Sequence, residues 1–100
     1  MRTMLKVSFP VDAGNRVIKD GSLPKIVESF TQRYKPEAAY FFADTGRRTM
    51  LYVFDMPDTT HIPSIAEPFF MGLNAEISFK PVMNLDDLRA GLEKAMKSRA

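Results

Sequence analysis

One histidine, His61, stands between Asp58 and an apolar helical stretch. An imidazole at such a place suits a general base, or a single metal or haem ligand. With no second His and no Cys, zinc would lack ligands. The plainer role is a loop residue at a helix start. Lys80 is the second catalytic candidate, because a lysine between two sheets can bind an anionic substrate. Lys6 and Glu76 lie on neighbouring strand patterns and would face it, where cross-strand ion pairing is the plainer outcome. Tyr40, Tyr52 and Phe54 are the ligand-binding candidates: two phenols that can hydrogen-bond, and a ring for stacking. Arg47-Arg48 would grip an anion or simply be solvated. Ser8 and Ser78 have no base at a readable spacing, so no nucleophile can be argued.

The composition narrows the chemistry further. The 100 residues contain no cysteine, which excludes disulfides, thiolate nucleophiles, thiolate zinc and iron–sulfur clusters. Fourteen basic and 12 acidic residues leave a net charge of +2, too balanced for a nucleic-acid partner. The basic cluster Lys94, Lys97 and Arg99 fits a helix C-terminus, where cations are favoured. No apolar run approaches the ~18 residues of a membrane span, and no signal-peptide core is present. The expectation is a single domain over residues 1–100, cytoplasmic, with no membrane partner.

Such residues need elements to hold them. Leu5, Val7 and Phe9 alternate with Met4, Lys6 and Ser8, the period of a half-buried strand over Thr3–Phe9. Pro10 ends it, and Asp12-Ala13-Gly14-Asn15 reads as a turn. A helical region from Asn15 to Tyr34 breaks at Asp20-Gly21 and restarts with Ser22 as cap. Glu37–Ala43 and Arg48–Asp55 form a hairpin about Asp44-Thr45-Gly46-Arg47, with Gly46 at positive φ and Ala43 opposite Arg48. A helix from Ile62 to Leu73 contains Pro68, which predicts a kink or early end. Ala75–Val82 alternates again, and Asn84 caps a last helix, Leu85 to Lys97, striped by Leu88, Leu92, Ala95 and Met96. The order β-α-β-β-α-β-α predicts an α+β, ferredoxin-like fold: a four-stranded antiparallel sheet in order 4-1-3-2, plus one helix.

Helices cover one face of such a sheet. Leu5, Val7, Phe9, Ile77 and Phe79 are the expected inward set. From the hairpin, Leu51 and Val53 are expected inward, leaving Ala39, Phe41, Met50, Tyr52 and Phe54 on the open face. So apolar a face calls for a cover, and a second copy is the simplest, predicting a homodimer.

The chain resembles the dimeric α+β barrel superfamily. The resemblance rests on the β-α-β-β-α-β order, the Thr3–Phe9 strand, the Tyr40–Phe54 aromatic hairpin, and Phe79-Lys80-Pro81-Val82 before a capped helix. That superfamily includes muconolactone isomerase, cofactorless antibiotic-biosynthesis monooxygenases and haem-degrading monooxygenases. The resemblance implies a ligand cavity between sheet and helices or at a dimer interface, without one fixed chemistry. Haem-degrading members pair a His with a Trp, and this chain has no Trp. An RNA-binding sheet would need aromatics where Lys6 and Ser8 stand. The expected function is a small-molecule-binding homodimer, with an isomerase or oxygenase without cofactor acting on an aromatic or hydrophobic compound as the activity to look for. The alternative is a non-catalytic module whose aromatic face serves dimerisation. A cavity of several hundred cubic ångströms lined by Tyr40, Tyr52, Phe54, His61 and Lys80 would favour the first.

Overall fold

The strand and helix periods of the sequence resolve into eight elements. A computed structural model describes residues 1–98; Arg99 of the basic C-terminal cluster lies outside the described residues. In chain order they are β1 (Arg2–Phe9), α1 (Val11–Lys19), α2 (Ser22–Tyr34), β2 (Ala38–Asp44), β3 (Arg47–Asp55), α3 (His61–Leu73), β4 (Glu76–Pro81) and α4 (Leu85–Ser98). The strands form one antiparallel sheet ordered β2-β3-β1-β4. This is the expected ferredoxin-like α+β fold with an added C-terminal helix.

Local chemistry explains where the elements begin and end. Asp12-Ala13-Gly14-Asn15 is not a turn but the start of α1, whose first backbone bond runs from Gly14 N to Pro10 O at 3.0 Å. Gly14 is there for close packing: a Cβ would lie 2.5 Å from Arg48 Nη1. Ser22 is not the cap but the first residue of α2; the N-cap position is Gly21, in the left-handed region at φ 78°. Ser22 donates to Asp20 Oδ1 from its backbone N at 2.8 Å and its hydroxyl at 2.6 Å. Those bonds hold the Asp20 carboxyl below the usual carboxylate range. Pro68 does not end α3, which runs on to Leu73 and stops at Asn74 in the left-handed region. Asn84 does cap α4. Its side chain accepts from Asp87 N at 2.8 Å, and its own N donates to Asp87 Oδ2 at 3.1 Å, a reciprocal box.

The hairpin register is as expected: Ala43 faces Arg48, Phe41 faces Met50 and Tyr40 faces Leu51. The face is inverted. Tyr52 pairs with Leu5, Met50 with Val7 and Phe54 with Thr3, and directly paired residues share a face of the sheet. Met50, Tyr52 and Phe54 are therefore buried under the helices, and Leu51 and Val53 point the other way, half-buried. Ala39 and Phe41 follow Tyr52 and Met50 to the helix side, at the exposed edge strand. Aromatic packing explains the choice. The Phe30 ring from α2 lies 4.5 Å from Tyr52 and 5.3 Å from Phe54, with Phe69 of α3 at 6.1 Å. Rings fill that layer better than Leu51 and Val53 would.

Candidate functional site

The five predicted site residues do not meet. Tyr52 and Phe54 belong to the packed core. The Tyr52 hydroxyl donates to Met50 Sδ at 3.5 Å, and burial pushes the phenol up to about 12. Phe54 stands edge-on to Phe30 and Tyr34. Tyr40 and Lys80 are exposed on the open face but on the two outer strands, β2 and β4. His61 begins α3, and its Nδ1 lies 2.9 Å from the Tyr34 hydroxyl. With the ring proton on Nε2, the phenol donates to it.

The expected trio of Lys6, Glu76 and Lys80 is also not formed. Lys6 reaches Asp44 at 2.7 Å, and Glu76 lies 3.5 Å from Arg47. Arg48 donates to Val11 O and Asn15 Oδ1, fixing α1 to the sheet. These side chains organise the fold's surface. Among the described residues, no three of His, Asp and Glu converge to hold a metal ion.

Two surfaces remain. The first is the open sheet face, with Tyr40 63% exposed and Phe42 42% exposed beside half-buried Met4, Leu51 and Val53. The second is a groove of about 310 Å³ between α2 and α3. Its apolar lining includes Phe30, Ile65 and Phe69, with Ile26 and Pro68 beside them. Lys25, Ser29 and Arg33 recur every four residues along α2, which places them in one row along the groove. Ser64 and Tyr34 add hydroxyls, and no acidic side chain lines it. The Arg33 guanidinium sits over the Tyr34 ring at 5.2 Å, and Tyr34 in turn is tied to His61.

Other depressions carry less. One, about 820 Å³, is lined by Met1, Arg2, Glu37, Asp55 and Asp87 among others. Its charges already satisfy one another: Arg2 donates to Glu37 at 2.7 Å and Asp87 at 3.0 Å, and the N-terminal ammonium to Asp55 at 2.6 Å. No helix among the described residues is long and apolar enough to cross a membrane.

The groove was missed because its residues carry no motif. The only signal is spacing: Lys25, Ser29 and Arg33 at i, i+4 and i+8, beside the stripe Ile26–Phe30. No family model matches the chain, and no curated protein does either.

Proposed function

We propose that this chain binds a small molecule with an apolar body and one carboxylate, seated between α2 and α3. The groove itself carries the reading: an apolar lining of Phe30, Ile65 and Phe69 under two cations, Lys25 and Arg33, with no acid to neutralise them from within. Its volume is at the lower end of ordinary ligand pockets, roughly 300–1,000 Å³. The apolar body would contact the rings, and the carboxylate would take the paired donors of Arg33. No carboxylate or imidazole lines the groove, and the reading is one of binding.

A thermal-shift titration with 2-naphthoate tests it, with 2-naphthamide as the uncharged control. At about 100 times its dissociation constant the acid should stabilise the chain by roughly 2.7 kcal/mol. Arg33→Gln and Lys25→Gln should each weaken binding about tenfold, as loss of a charge-assisted bond of this kind does. Equal affinity for acid and amide, or binding indifferent to both substitutions, would refute it.

A second reading concerns the open sheet face. Exposed Tyr40 and Phe42 beside Met4, Leu51 and Val53 favour a second copy as cover, in an isologous dimer. Tyr40→Lys with Phe42→Lys should lower the mass found by sedimentation; an unchanged mass excludes that face as an interface.

A further inference from the structure

The least accounted-for element is α4. Its 14 residues include none that is buried. Leu85, Leu88, Leu92 and Met96 are 60, 40, 56 and 65% exposed, although at helical spacing, with Ala95, they form one continuous stripe. An isolated helix of this length is marginal in water. The chain is 59 Å along its longest axis against 28 and 19 Å across, and α4 is tied to the sheet at its first turn, through Arg2–Asp87.

We infer that α4 pairs antiparallel with α4 of a second copy of this chain. The charges beside the stripe say which partner and which direction. Asp86, Arg89, Glu93 and Lys97 lie on one flank, in the order minus, plus, minus, plus. Reversed, that series becomes plus, minus, plus, minus, so the flank is complementary to itself only when the helices run in opposite directions. Asp86 then faces Lys97 of the second copy and Arg89 faces its Glu93, each twice by symmetry. In a parallel pair the two-fold axis would put the two copies of this flank on opposite sides of the seam, so its charges would not meet. The apolar layers agree: Leu85 meets Met96 of the second copy, and Leu88 meets its Leu92. Gly91 lies beside the stripe near the two-fold axis, small enough for close approach. This contact does not depend on the groove or on the open sheet face.

The test reverses one end at a time and reads self-association by sedimentation. Asp86 and Lys97 are exposed, and Lys97 also lies 3.3 Å from Glu93 of its own helix, a surface pair worth little. Asp86→Lys alone and Lys97→Glu alone should each weaken pairing by roughly tenfold, since each makes two attractive rim pairs repulsive. Mixing the two variants, or combining both changes in one chain, should restore it. The chain has no cysteine, which allows a clean orientation check. Gly91→Cys, beside the axis, should cross-link to itself under oxidation. Ser98→Cys should not, because the two ends would lie about 20 Å apart at 1.5 Å per residue. Repeating the measurement with Tyr40→Lys and Phe42→Lys separates this contact from any through the sheet. A helix pair indifferent to both charge reversals, or cross-linking at Ser98→Cys and not at Gly91→Cys, would overturn the inference.

Discussion

Tyr52 offers the sharpest check on which face of β3 is buried. Its side chain is fully buried, with the Phe30 ring tilted against it 4.5 Å away and only Met50 Sδ for its hydroxyl. Burial raises the phenol from 10.0 to about 12. The raised value means the folded chain holds the proton more tightly than the unfolded chain. The neutral phenol's contribution is therefore complete below the unfolded value near 10 and is lost as pH rises towards 12. By linkage the loss reaches roughly 1.4 kcal/mol at pH 11 and about 2.3 kcal/mol at pH 12. Tyr52→Phe removes the titration and only a weak bond to sulfur. Urea unfolding of both chains from pH 8 to pH 11 isolates the effect, because every other residue is common to both. The variant should match the parent at pH 8 and exceed it by about 1.4 kcal/mol at pH 11. A constant gap across that range would mean the phenol is wet, and that β3 presents its other face to the helices.

Three further outcomes follow from particular contacts. Thr45 holds φ at 50° beside Gly46 at 78°, and a β-branched residue is strained there, so Thr45→Asn should raise the urea midpoint by the equivalent of about 1 kcal/mol. Phe30 touches the rings of Tyr34, Tyr52, Phe54 and Phe69, so Phe30→Ala should cost roughly 3–5 kcal/mol in chemical denaturation and open the groove floor. The Thr60 hydroxyl and backbone N both donate to Asp58 and hold its carboxyl below the usual range. A lowered carboxyl stabilises the fold above the unfolded value near 4 and loses that effect as pH falls. Thr60→Val should therefore move the Asp58 titration upward by NMR and flatten the loss of stability in acid.

How much of this was legible in the sequence depends on whether each pattern had a polar phase. In β1 it did: Lys6 and Ser8 mark one side, Leu5 and Val7 the other, and the strand's inward set came out as expected. Turn chemistry at Thr45-Gly46 set the hairpin register to the residue. The face of β3 was not legible, because Met50 to Phe54 is apolar at every position and alternation has no polar member to fix its phase. The phase comes from pairing with β1, a long-range contact that places Tyr52 against Leu5. That one inversion takes Tyr52 and Phe54 out of the candidate site, while Tyr40 and Lys80 are kept apart by lying on the two outer strands. Once Tyr52 and Phe54 turn inward to Phe30, they become the wall behind which α2 and α3 meet. The ligand question then passes from the rings themselves to the cations above them, Lys25 and Arg33. Those carry no local signature: a lysine and an arginine eight residues apart on a helix are ordinary surface residues until Ile65, Pro68 and Phe69 arrive from another element. The open face shows the complementary case. There Tyr40, Phe42, Leu51 and Val53 point outward in place of the expected Phe41, Met50, Tyr52 and Phe54, so the open face is still apolar but is made of each expected residue's sequence neighbour.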